Sequence, residues 1–245
     1  MIQGYDLSHY NSDMQVSKRY PIADFIMHKI SEGCQYIDPK AQARAMSWKG
    51  DKPIFWYHLI RPDKGYTAAA EAGHYISALA SKVEPYGPFG LAIDLEAQYI
   101  PYNSKRKTLD WIKDFIVKVK AAYNKSVFVY MGDLYPDHWY KEIREVGGLI
   151  WIARWGKNPT HDWEMWQDTS KYEGENLDHD YCKLTISDLW KCTGPVVKMK
   201  PEEVAEDALK VIRGEYGTGE ERKKALGDKY YKVQSVVNKI MEVTS

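Results

Sequence analysis

Short apolar runs alternate with amphipathic stretches over about the first 180 residues, and that alternation limits the fold more than any other feature of the chain. Gln3–Asp6, Phe25–Ile30, Pro53–His58, Leu91–Asp94, Val127–Met131 and Leu149–Ala153 are brief and rich in Ile, Val, Phe or Tyr. Turn residues bound them, so they read as strands. Between them Asp13–Tyr20, Pro39–Lys49, Thr67–Ser81, Lys105–Tyr123 and Trp139–Val146 read as helices. The spacing is clearest in Lys105–Tyr123, where Leu109, Ile112, Ile116 and Val119 share a face. Such alternation predicts a parallel sheet, closed or open. After Ala153 the helices thin out. Glu164–Gln167 and Asn176–Tyr181 read as strands joined by polar turns, so a barrel of this pattern is irregular in its last third.

A change of composition near residue 190 divides the chain. Residues 1–190 form one α/β unit, and 191–200, with lysines around Gly194–Pro195, read as a linker. Residues 201–245 read as a small three-helix module. Pro201, Glu202 and Glu203 mark a helix start, with a proline in the first turn and acids at the positive dipole end. Val204, Ala208, Val211 and Ile212 follow at helical spacing, and Gly214 stops the helix. Glu220–Leu226 forms a second helix, and Tyr231–Met241 a third with Val233, Val236, Val237 and Ile240 on one side.

The 245 residues carry 34 Lys+Arg and 34 Asp+Glu, a balance that disfavours a dedicated nucleic-acid binder. No apolar run approaches the ~18 residues of a membrane span, so no membrane insertion is expected. No basic and apolar leader precedes Gly4-Tyr-Asp, which predicts synthesis in the cytoplasm without a signal peptide. Cys34, Cys182 and Cys192 have no metal-like spacing and read as reduced thiols, with pairing of Cys182 and Cys192 open if the protein is exported. Nine Trp and nineteen Tyr stand against five Phe. Aromatics with a polar tip suit half-wet surfaces such as carbohydrate grooves, or amphipathic packing under loops.

The sharpest local feature is Gly90-Leu-Ala-Ile-Asp-Leu-Glu96. Asp94 and Glu96 end an apolar strand at i and i+2, so strand periodicity points both carboxyls to one face. Strand C-terminal ends are where barrels and doubly wound sheets build sites. Two acids sharing a site tend to keep one another protonated. Asp6 ends the first strand, and Asp178 and Asp180 flank His179 near the last. In a closed barrel the first and last strands are neighbours, so Asp6 and Asp178 would approach each other. Asp-His-Asp could also be part of a metal site, but no further ligand has a helpful spacing, so neither metal nor cofactor is expected. Glycoside hydrolysis needs two carboxyl groups around a glycosidic oxygen. A Gly-x-Ser-x-Gly elbow, a phosphate-cradling glycine loop and His-Glu-x-x-His are all missing.

These residues resemble glycoside hydrolase family 25, the lysozymes that cleave bacterial peptidoglycan. Gly4-Tyr-Asp6-Leu-Ser8-His-Tyr-Asn11 is similar to its N-terminal signature and Lys29-Ile-Ser-Glu32-Gly33 to its second-strand motif. Trp56-Tyr57-His58, Asp94-Leu-Glu96, Trp151-Ile-Ala153 and Trp166-Gln167 follow in the family's order. Trp155 stands where the family usually has Tyr, and Asp180 where it often has Asn. Residues 202–242 resemble a cell-wall-binding repeat of some phage lysozymes, through Gly214-Glu-Tyr-Gly217-Thr-Gly219 and the residues after it.

The resemblance implies an irregular, flattened TIM-like (β/α) barrel and an N-acetylmuramidase of phage-endolysin type that binds bacterial peptidoglycan and is released through a phage-encoded pore. It implies Glu96 as general acid and then base, with Asp94 holding its pKa up. Asp6 and Asp178 would stabilise charge at the anomeric carbon. Tyr57, Trp155 and Trp166 are the candidates for sugar stacking, and Glu32 and Gln167 complete the candidate substrate contacts. A wall-binding protein with an inactive hydrolase domain and a glucosaminidase or chitinase on a similar barrel are the alternatives. The sequence leaves the oligomeric state open.

Overall fold

The computed structural model describes residues 1–101, 105–194, 201–226, 229, 233, 234, 236, 237, 240 and 241. The chain divides into two compact units between Gly194 and Pro195.

The first unit holds nine strands: β1 (Ile2–Leu7), β2 (Phe25–Glu32), β3 (Tyr36–Ile37), β4 (Ile54–Leu59), β5 (Gly90–Asp94), β6 (Val127–Gly132), β7 (Gly148–Ala153), β8 (Met165–Thr169) and β9 (Asp178–Cys182). All but β3 close into a barrel, because β1 pairs with β9 on one side and β2 on the other. The short β3 pairs with the end of β2. Seven barrel strands run parallel and β9 alone runs against both its neighbours. The cause is local. A parallel return needs a crossover of a dozen or more residues, and β8 and β9 are joined only by residues 170–177. The reversal brings the start of β9 to the end of the barrel where the other strands finish.

Helices α1 (Asp13–Arg19), α2 (Ala41–Trp48), α3 (Ala68–Lys82), α4 (Lys105–Tyr123) and α5 (Asp137–Glu145) form the crossovers. α4 shows why they pack: Leu109, Ile112, Phe115, Ile116 and Val119 are all fully buried on one side. Strands between this helical layer and the interior are apolar on both faces, as β4 (Ile-Phe-Trp-Tyr-His-Leu) is buried at every position. Helix α6 (Ile186–Thr193) takes up the first three residues read as linker. A capping box between Thr185 and Asp188 starts it, and Leu189 is buried in the barrel's core cluster. Residues 195–200 of that linker lie outside the described residues.

The interior is layered by strand position. Phe25, Phe55, Phe128, Trp151 and Met165 fill the middle with Cys182 and Leu189. Glycine makes the rings fit. A Cβ on Gly4 would stand 2.5 Å from the Phe25 ring, and one on Gly90 2.0 Å from the Phe55 ring. Two residues further along the inward rows of β4, β6 and β8, at the C-terminal ends, stand the polar-tipped Tyr57, Tyr130 and Gln167. All three cysteines are free thiols.

In the second unit α7 (Pro201–Ile212) and α8 (Gly219–Leu226) pack through Val204, Ala208, Val211 and Leu226, with Val233 and Val237 buried against them. Ile212, placed by its spacing on the apolar face, is instead exposed. Gly214 (φ 80°) and Gly217 (φ 66°) take left-handed conformations in the turn, and Arg222 donates to the Gly217 carbonyl at 2.9 Å. The expected third helix includes residues 231, 232, 235, 238 and 239, which lie outside the described residues. No helix among the described residues is long and apolar enough to cross a membrane.

Candidate active site

Strand register gathers the carboxyls. Asp6 on β1 stands opposite Asp178 on β9, and Gly4 opposite Asp180. Asp94 ends β5 beside Tyr130 of β6. Glu96 lies two residues further along the inward row of β5. Period-two alternation that turns Asp178 and Asp180 inward turns His179 outward. His179 bonds Asp168 at 2.6 Å and stacks on Tyr172 at 4.2 Å, which separates it from the acids it divides in sequence. Among the described residues no group of three or more His, Cys, Asp or Glu could hold a metal ion.

The cluster is short of donors. Asp6 is buried and takes hydrogen bonds from Tyr57 and, at 3.4 Å, from the Gln167 amide. Trp151 donates its indole N–H to Asp180 at 2.7 Å. One buried oxygen on each of Asp6, Asp94 and Asp180 has no protein partner. Burial pushes Asp6, Asp94 and Asp180 well up from the usual carboxylate range, and repulsion among the neighbouring acids adds to it. Burial and the charge of Glu96 push Asp178 up to about 6.

Glu96 is set apart by its surroundings. Burial raises its pKa, Lys29 and Arg61 lower it, and Glu32 raises it again. Both cations are shared with Glu32, which sits 2.7 Å from the Lys29 ammonium and 2.6 Å from the Arg61 guanidinium. Glu32 therefore blunts the cations that would otherwise ionise Glu96. Gln98 also donates to Glu96. The result is a half-buried carboxyl held toward its protonated form, as a proton donor must be.

The aromatic candidates separate. Tyr57 has a ring only 7% exposed, edge to face with Trp151, and reaches the site through its hydroxyl on Asp6. Trp155 is 59% exposed, and its indole N–H donates to the Gln167 carbonyl oxygen at 3.0 Å. The same oxygen accepts from Tyr130 at 2.9 Å, so the buried Gln167 links three elements to Asp6. Trp166 is not brought to the cluster. It alternates with the inward Gln167 and packs outside against Trp163 and Tyr181.

Sequence reasoning gave no role to Tyr130, Tyr135, Lys29 or Arg61. Tyr130 was visible in principle, since alternation through Phe128 puts a polar-tipped ring on the inward row of β6. Arg61 and Tyr135 lie in loops and carry no periodic signal.

The family model Glycosyl hydrolases family 25 matches residues 5–177. The chain belongs to glycosyl hydrolase family 25. As a member it is a glycoside hydrolase, and its barrel is the α/β barrel expected from the sequence. A second model, the CW_7 repeat, matches residues 203–241 of this family 25 hydrolase. Among solved structures, the catalytic domain of endolysin Ply40 from Listeria monocytogenes bacteriophage P40 is 23% identical with a TM-score of 0.61, covering 80% of this chain and 98% of that one. A muramidase from Trichobolus zukalii is 21% identical with a TM-score of 0.61, covering 80% and 100%. The CTP1L endolysin is 18% identical with a TM-score of 0.57, covering 99% and 100%. At these identities the likeness is one of fold. No curated protein sequence matches the family 25 hydrolase.

Proposed function

We propose that this family 25 hydrolase is an N-acetylmuramidase, cleaving the β-1,4 bond between N-acetylmuramic acid and N-acetylglucosamine in bacterial peptidoglycan. The observation that carries the reading is the row of acids at the barrel mouth, whose pKa values burial and mutual repulsion raise, with Glu96 flanked by shared cations. Glu96 donates its proton to the leaving oxygen and then, as carboxylate, activates water. Burial and Glu32, which shares Lys29 and Arg61 with it, keep that proton in place, with Asp94 next along the same inward row. Asp178, pushed up only to about 6, carries its charge at neutral pH and, with Asp6 opposite it across the β1–β9 pair, faces the positive charge that develops at the anomeric carbon. Tyr57 and Gln167 fix Asp6, and the exposed face of Trp155 stacks a sugar.

The division of labour follows the chain. Residues 1–190 cleave, and the CW_7 repeat within 201–245 holds the enzyme on the wall. The likeness to phage endolysin structures supports a role in host lysis, with the wall reached through a pore made by a second protein.

Product analysis tests the reading. Purified peptidoglycan is digested with wild type and Glu96→Gln, reduced with borohydride, and the reduced sugar identified by mass spectrometry. Muramitol from the wild type alone supports the assignment. Glucosaminitol would replace it with a glucosaminidase. No new reducing ends from either protein would leave a wall-binding protein with an inactive barrel.

A further inference from the structure

A tyrosine outside the carboxyl row has the geometry of a substrate contact. Tyr135 lies in the loop between β6 and α5. Its ring stacks on Trp139 with centroids 4.9 Å apart and planes at 28°. The other edge lies over the end of β6, 4.0 Å from where a Cβ on Gly132 would stand. Gly132 continues the inward row of Phe128 and Tyr130, so the ring lies against the mouth end of that row. Its hydroxyl oxygen is buried and has no hydrogen-bond partner in the protein. Buried hydroxyls are ordinarily paired, and an orphan near a reactive cluster calls for an explanation. Burial, Tyr140 and the charges of Asp94 and Glu96 all hold the phenol in its protonated form. It is thus a donor within electrostatic reach of two carboxyls, and it donates to neither of them.

Resting on the muramidase reading, we propose that Tyr135 is a specificity residue whose hydroxyl donates to the acetamido carbonyl oxygen of the sugar seated at Asp94 and Glu96. The choice of acceptor follows from the chemistry of the glycan. Its hydroxyls are both donors and acceptors and can pair with the carboxyls. Its glycosidic oxygen takes its proton from Glu96. The acetamido carbonyl is a strong neutral acceptor that every sugar of the glycan carries, and a donor that accepts nothing from the protein matches it.

The test removes one oxygen. Tyr135→Phe and wild type are assayed for reducing-end release on three walls: native, de-N-acetylated, and de-N-acetylated then re-acetylated. The variant is expected to lose about tenfold in kcat/KM on the two acetylated walls and less than twofold on the de-N-acetylated one. Its Tm and the pH limbs of its activity are expected to match wild type, since the hydroxyl has no protein partner to lose. Equal activity of the two proteins on every wall would overturn the proposal. So would an equal loss on all three, or a shifted pH limb, either of which would make Tyr135 a support of the acids. A wild type that releases no reducing ends from native wall would overturn the muramidase reading first, and this inference with it.

Discussion

Two acidic sites near the same end of the barrel have opposite electrostatics. Asp133, just after β6, is as buried as Asp6. Yet it accepts from the Thr160 amide at 2.7 Å, the Thr160 hydroxyl at 2.9 Å, the His161 ring at 2.8 Å, the His161 amide at 3.3 Å and the Arg154 guanidinium. Burial alone would raise its pKa, but the bonds from His161, Thr160 and Arg154 hold it well below the usual range. The mouth acids have the burial with far fewer donors, and their pKa values go up. Burial is therefore not what makes a carboxyl suited to proton transfer here. The supply of donors decides. Asp133 ties the loop carrying Trp155 to the loop carrying Tyr135, and the acids beside it are left hungry enough to hold protons.

The largest effect that tests this contrast is on turnover. Glu96→Gln should lower kcat by about a hundred- to ten-thousandfold, the range for loss of a general acid. Its Tm should stay within a degree or two, since glutamine mimics the protonated form. A large Tm loss would mean that Glu96 is ionised and structural, as Asp133 is. Asp133→Ala should do the reverse in kind. It leaves a partly exposed guanidinium, a ring nitrogen, a hydroxyl and two amides without their acceptor and should cost about 2 kcal/mol, read by denaturant unfolding. Activity should fall by a smaller factor than stability suggests for a catalytic acid, through displacement of Trp155. An unchanged unfolding midpoint would break the comparison.

A third cluster shows that suggestive chemistry is not enough. Ser31, His58 and Glu71 stand in nucleophile–base–acid order, Ser31 to His58 at 2.8 Å and His58 to Glu71 at 3.0 Å, yet all three are fully buried. They tie β2 and β4 to α3, and Glu71 also accepts the Arg61 amide at 3.0 Å. Ser31→Ala should leave kcat within about twofold and cost roughly 1–2 kcal/mol for the orphaned ring nitrogen. A loss of turnover with intact stability would show a route for substrate that the burial denies.

The legible parts of the molecule are those governed by periodicity. The strand–helix alternation places the barrel, and the i, i+2 spacing puts Asp94 and Glu96 on one face. The closure that brings Asp6 to Asp178 follows from treating first and last strands as neighbours. What escapes is set by tertiary partners. Nothing in Trp166-Gln167 says which of the two faces inward, because both suit a strand. Tyr57 looks like a stacking ring until its neighbours bury it and leave only its hydroxyl at the site. The end of α6 reads as linker because Lys191 opens the stretch around Gly194–Pro195 and masks the last turn of a short amphipathic helix with a capping box at Thr185 and Asp188. Tyr135 has no pattern at all, since a loop residue's direction depends on the chain around it.

The smallest predicted effect bears most directly on the donor argument. Asp178 titrates near 6 in the fold and near ~3.9 in an unfolded chain. Between about pH 4 and 6 the native state therefore binds more protons than the unfolded state, and stability falls as pH rises. A well-supplied acid such as Asp133 has the opposite slope: its folded pKa is depressed, so its contribution is present at neutral pH and is lost only on acidification. Asp178→Asn removes the titrating group and keeps the shape of its protonated form. Below pH 4 the variant and wild type should melt together. Across the window a gap should open in the variant's favour, levelling off above pH 6 at about 1 kcal/mol, the full shift being discounted for partial exposure and coupling to Asp6. For a chain of this size that is roughly 2–4 °C in Tm. A gap that does not change with pH, or a variant less stable at pH 7, would mean that Asp178 is ionised and paired in the fold, and that the mouth acids are no poorer in donors than Asp133.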